Sequence, residues 1–163
     1  MKHRNLNKLI FTLLVIGLIS CGGADSGDTE SAEAPKSMLS AQPKTLEEAE
    51  KDWQSNIGIG PIASFDLPAD VDQNLADAGQ IIYEAKCTAC HKPDKQFIGP
   101  APKGILSKRT PAWVMNMILN PEEMIQKDPI ARQLLIKFNG APMANQSLTE
   151  DDARNVLEYF RTL

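Results

Sequence analysis

Histidine is nearly missing from this chain: the 163 residues hold two, His3 and His91. Cysteine is scarce as well. Cys21 stands alone, Cys87 and Cys90 form a close pair, and an odd total of three makes a disulfide framework a poor account of them. There is no basic excess, since the formal net charge is −4, so nucleic-acid binding is not expected. No apolar run reaches the roughly 20 residues of a comfortable transmembrane helix. No segment alternates apolar and polar residues as a half-buried strand does, and no internal repeat is visible. What remains is one domain's worth of helical pattern, punctuated by proline and glycine.

The first twenty residues read as a processing signal rather than as part of the fold. Lys2, Arg4 and Lys8 make a basic start, Leu9 to Ile19 is apolar apart from Thr12 and Gly17, and Ser20-Cys21 follows at once. This order resembles the bacterial lipoprotein signal. The resemblance implies removal of residues 1–20 and a lipid on Cys21. The mature chain would then sit on the periplasmic side of the bacterial cell envelope, anchored to a membrane. An ordinary secretory signal with an incidental cysteine is the alternative. Removal takes away three basic and no acidic residues, leaving a net charge of −7, and it takes away His3. Residues 21–45 carry the lipidated cysteine and a small, acidic tether with too little apolar content to fold. The 24 residues after the cysteine would span roughly 25–30 Å as a flexible coil.

Residues 46–74 predict a short helix, with Thr45 as N-cap and Glu48 completing a capping box, followed by an extended strap rich in glycine and proline. Residues 75–163 form the main domain. Leu75, Ala78, Gly79, Ile82 and Tyr83 fall at helical spacing. A proline- and glycine-rich loop spans 92–110. Thr110-Pro111 opens a helix that ends at Asn120-Pro121. Another helix runs from Pro129 to Phe138 and stops at Asn139-Gly140. Ala141 to Asn145 is a loop, and Thr149 with Asp152 caps a last helix that reaches the C-terminus. The fold class is all-α.

The chemistry lies in Cys87-Thr88-Ala89-Cys90-His91. Two thiols three residues apart can reach the two vinyl groups on one edge of a haem, and the next histidine then lies under the iron. Cys-x-x-Cys-His is therefore read as covalent attachment of one haem c, with His91 as an axial ligand. A structural zinc site would need about four Cys or His ligands. A thioredoxin-like pair would need a βαβ context. A plain disulfide between two exported cysteines is the remaining rival. With His3 removed, no second histidine is left for the other axial position, and methionine is the natural substitute. Met115, Met117 and Met124 lie in or beside an apolar helix, where packing is their usual work, and Met38 lies in the tether. Met143, in a proline-containing loop, is the predicted second ligand of the haem iron, with a loop methionine that merely covers the haem face as the alternative. Trp53 and Trp113 read as core residues, with donation to a haem carboxylate as the alternative.

From about residue 75 to 163 the chain resembles the class I cytochromes c. Gly79 and Tyr83, eight and four residues before Cys87, match the family's N-terminal helix. Leu157 and Phe160 match the pair on its C-terminal helix. Ile98-Gly99-Pro100-Ala101 and Ala141-Pro142-Met143 match its proximal and ligand loops, although Ala144 stands where many members have proline. The resemblance implies that the two terminal helices cross at Gly79 and that Tyr83, Leu157 and Phe160 support the haem pocket. It also implies that the neighbourhood of Pro100 offers a carbonyl to the histidine's other nitrogen. The function implied is one-electron transfer by a monomer, not enzymatic turnover, between a donor complex and a terminal oxidase or reductase. Nitrous-oxide reductase is one such acceptor by analogy. A peroxidase-like enzyme or a haem-based sensor with an open distal position is the alternative. Lys86, Lys92, Lys95, Lys103, Lys108 and Arg109 surround the motif in sequence with one acidic residue among them. They form an expected docking rim for an acidic partner, or else an ordinary solvated loop.

Overall fold

The computed structural model describes residues 43–163. Cys21, Met38 and the tether as far as residue 42 lie outside the described residues. Six α-helices follow in order: α1 (Leu46–Ala49), α2 (Gln73–Lys86), α3 (Pro111–Leu119), α4 (Pro121–Lys127), α5 (Pro129–Lys137) and α6 (Glu150–Arg161). Single 3₁₀ turns occupy Trp53–Ser55 and Ile105–Ser107. Among the described residues there is no strand, and no helix is long and apolar enough to cross a membrane.

Helices α2 and α6 form the frame. Asp72 caps α2, its carboxylate accepting from the backbone N–H groups of Asn74 and Leu75. Thr149 and Asp152 form a reciprocal capping box at the start of α6. Ala76, Gly79 and Tyr83 are buried on one face of α2, and Ala153, Val156 and Leu157 on the facing side of α6. The backbones meet at Gly79. A Cβ built there would stand 2.0 Å from the Asn155 carbonyl oxygen, so only glycine permits this crossing.

Helix α3 is buried on nearly every side, as a uniformly apolar helix must be. Thr110 caps it, and Pro111 sits in its first turn, where the missing N–H costs nothing. Asn120-Pro121 ends α3 as expected, but the chain turns at once into α4, a helix the sequence reading left out. Pro121 serves the start of α4 as Pro111 serves that of α3, and Met124 fills the core from it. The Asp128 carboxylate then caps α5 by accepting from the Ala131 N–H at 2.7 Å, and it also accepts from the Trp113 indole N–H at 3.1 Å. Trp113 is thus a core residue whose polar atom is already matched. Helix α5 closes at Phe138, with Asn139 and Gly140 both at positive φ.

Residues 43–72 lie along this domain through side-chain anchors. Asn116, fully buried, donates to the Ile57 and Ile62 carbonyls and accepts from the Ile62 N–H. Asn56 donates to Asp128 at 2.7 Å. Arg161 donates to the carbonyls of Pro68, Ala69 and Asp70, and both it and Arg154 neutralise the buried Glu158. Thr45 caps α1 as expected. Glu48 differs from the reading in one respect: its carboxylate accepts from the Lys44 N–H rather than from that of the cap residue.

Candidate cofactor-binding site

The end of α2 runs straight into the motif. The Cys87 N–H still donates to the Tyr83 carbonyl, and the Cys87 carbonyl accepts from both Cys90 and His91. This extra helical turn places residues 87, 90 and 91 on one side, because positions three and four apart share a helix face. All three line a largely apolar cleft with about 1360 Å³ of free space, its open mouth included. Val114, Ile118, Leu134, Phe138, Val156 and Phe160 supply much of the wall. The sequence pattern places Leu134 and Phe138 only on a helix. Their four-residue spacing marks an apolar face, but nothing local says that this face lines a site.

The histidine is held in one orientation. His91 Nδ1 lies 2.8 Å from the Pro100 carbonyl oxygen. A carbonyl can only accept, so Nδ1 carries the proton and Nε2 keeps its lone pair for a metal. The loop that delivers Pro100 passes close to the ring: a Cβ at Gly99 would sit 2.5 Å from His91 Cε1, and the Gly99 N–H donates to the Cys90 carbonyl. Both thiols are free, Cys87 partly buried and Cys90 exposed. Burial pushes the Cys87 thiol up, Lys86 works against that rise and Cys90 adds to it.

Tyr83 lies against Phe160 edge-on, with ring centroids 5.8 Å apart. Burial pushes its hydroxyl up to about 12, with smaller contributions from Cys87 and Tyr159, and that hydroxyl has no partner among the described residues. An apolar cleft with two free thiols, an oriented imidazole and a cradle that a single Cβ would fill suits a flat, largely apolar macrocycle bonded at one edge. These residues fit haem c.

The methionines separate by position. Met115 and Met124 are buried in the core, and the Met124 sulfur accepts from the Ile59 N–H. Met117 and Met143 are partly buried and line the cleft with His91. Gly79 and Leu157 sit in the α2–α6 packing, while Tyr83, Phe160 and Pro100 reach the cleft itself.

The six basic residues differ in their surroundings. Lys86 lines the cleft, and Lys92 donates to the Thr88 carbonyl while its ammonium stands 5.1 Å above the Phe97 ring. Lys95 is exposed. Lys103 and Lys108 line a second depression together with Glu47 and Glu50. Arg109 leaves the docking set. It is 3 % exposed, its guanidinium is paired with Glu50 and lies over the Trp113 ring, and a partner protein has no access to it.

Residues 76–163 match the family model for cytochrome c. The solved structure of cytochrome c from Rhodothermus marinus is similar at 40 % identity and a TM-score of 0.61, covering 63 % of this chain and 88 % of that one. An engineered cytochrome c from the same organism, Rma TDE, is similar at 39 % identity and 0.61, covering 63 % and 89 %. The same engineered protein bound to a carbene intermediate is similar at 39 % and 0.58, covering 63 % and 88 %. Among curated proteins no sequence matches.

Proposed function

The chain belongs to the cytochrome c family, and on that premise we propose that it is a one-electron carrier in which His91 and Met143 hold a single haem c. The haem supplies an iron that cycles between ferrous and ferric states. The chain's own residues do the rest. Cys87 and Cys90 fix one edge, the Pro100 carbonyl aims the imidazole through Nδ1, and the apolar walls exclude water. Thioether ligation by Met143 would give a more positive potential than a second imidazole would.

The observation that carries this reading is the His91–Pro100 contact beside two free thiols in one apolar cleft. Met143 is preferred to Met117 because it sits on an irregular loop, which can adjust to the iron, whereas Met117 is held within α3. Among the described residues the cleft lining holds no carboxylate and no histidine besides His91, and its walls are mostly apolar. The ferric absorption spectrum tests the assignment. The weak far-red band of methionine-ligated iron is expected in wild type and in Met117→Ala, and is expected to vanish in Met143→Ala. A high-spin wild type that binds carbon monoxide readily would favour the open-site sensor or enzyme instead.

Partner docking belongs to the edge where Cys90 is exposed. Phe97 and Ile98 stand there 51 % and 47 % exposed, with Lys86, Lys92 and Lys95 nearby in the chain. An apolar centre with a partly basic rim suits a transient complex with an acidic redox protein, such as a terminal oxidase or reductase. The lipid on Cys21 would hold this carrier at a bacterial membrane on the periplasmic side, with residues 22–45 as its leash.

A further inference from the structure

The segment before the family-matched region does more than cover the domain. Glu50 follows α1 at its C-cap, and its carboxylate pairs with the guanidinium of Arg109. The two side chains differ in exposure, 4 % for Arg109 and 32 % for Glu50. The arginine is therefore a cation withdrawn from water whose compensating charge comes from outside residues 76–163. Among the described residues its remaining contacts are uncharged: Nη1 donates to the Lys108 carbonyl at 2.5 Å, the group lies 5.2 Å from the Trp113 ring centroid, and Nε is buried without a partner.

The position matters because of what adjoins it. The depression that Glu50 and Arg109 line shares Pro100, Ala101, Ile105, Leu134 and Phe138 with the cleft that holds His91. Trp113, under the guanidinium, lines that cleft too. The ion pair thus stands behind the wall of the haem site, with its arginine withdrawn from water.

We propose that Glu50 is a positioning residue for electron transfer, one that neutralises Arg109 and so sets the reduction potential of the carrier. The inference rests on the haem reading above. Oxidation adds one positive charge at the iron. A buried cation nearby opposes that step and a carboxylate beside it offsets the opposition. Removing the carboxylate leaves Arg109 uncompensated, disfavours the ferric state and raises the potential.

The experiment is a redox titration of the full, haem-loaded protein, with thermal unfolding of the same samples. Glu50→Gln keeps the size and hydrogen-bonding capacity of the side chain and removes the charge. Glu50→Ala removes both, and Glu50→Asp restores the charge. Asn56→Ala loosens the same segment without altering the charge at Arg109. The expected result is an upward shift in both neutral variants, a potential near wild type in Glu50→Asp, and none of that shift in Asn56→Ala despite a lower melting temperature. A reversible wild-type couple that Glu50→Gln leaves unmoved overturns this inference alone. So does an equal shift in Asn56→Ala, which would make the segment's placement, not its charge, the cause. A wild type without a reversible one-electron couple overturns the carrier reading and this inference with it.

Discussion

Replacing Gly79 by alanine isolates the packing on which the whole haem site stands. A Cβ there would lie 2.0 Å from the Asn155 carbonyl oxygen, 2.4 Å from its carbonyl carbon and 2.8 Å from the Val156 nitrogen. All three are backbone atoms of α6, so no side-chain rotation gives relief. Ordinary contact begins at 3.4 Å, and restoring it requires the helices to separate by up to 1.4 Å. Overpacking of this kind costs about 3 kcal/mol at the upper end of its usual range. The higher helix propensity of alanine returns about 1 kcal/mol. A net loss of about 2 kcal/mol remains, which for a domain of this size is roughly 8 °C in melting temperature. Denaturant unfolding of the haem-loaded variant measures it, with Ala85→Gly as the counterpart. Ala85 is exposed on the same helix, so that change costs only the propensity term, about 1 kcal/mol. A Gly79→Ala protein as stable as wild type, or more stable, would refute a crossing in which α6 backbone lies against this glycine.

Two further outcomes are expected. Thr149 holds the Asp152 carboxyl below its usual range through its backbone N–H and hydroxyl. A lowered folded-state pKa gives stability that is present above the unfolded value and lost as pH falls through the folded one. Asp152→Asn should therefore cost about 0.5–1 kcal/mol at neutral pH, and its gap from wild type should close below about pH 4; a gap that stays constant in denaturant midpoints across that range contradicts the assignment. At the proposed docking edge, Lys95→Glu should slow electron transfer to an acidic partner roughly three-fold at low ionic strength, with the difference fading as salt is added. Lys103→Glu and Lys108→Glu should change that rate less, and equal effects at all three positions would restore the single continuous rim that the sequence suggests.

The features legible in the sequence are those with short-range causes. Thr110-Pro111, Thr149 with Asp152, and Asn139-Gly140 each act within one turn, so the chain displays them directly and the helix starts and stops fall where they indicate. Helix α4 escaped because Asn120-Pro121 is an ambiguous signal. It stops the helix before it and suits the first turn of a new one equally well. The His91 site was legible for a similar reason, since thiols and imidazole lie within five residues. Arg109 was misplaced because burial is not local. It belongs in sequence to a lysine-rich run, and Glu50, 59 residues earlier, and Trp113 help withdraw it from the surface.

The same distinction explains how residues 43–72 are attached. Their apolar content is too thin and too broken by glycine and proline to form a layer of its own. Polar side chains of the helical domain reach out to their backbone instead: Asn116 to Ile57 and Ile62, Asn120 to Ile59, and Arg161 to residues 68–70. An irregular segment must satisfy its backbone N–H and C=O groups somewhere, and here the donors and acceptors come from α3 and α6. Gly60 shows the closeness this demands, since a Cβ there would stand 2.3 Å from the Asn116 side-chain oxygen. Asn116, Asn120 and Arg161 therefore serve the strap rather than the cofactor. That leaves the cleft wall free to be almost wholly apolar around His91.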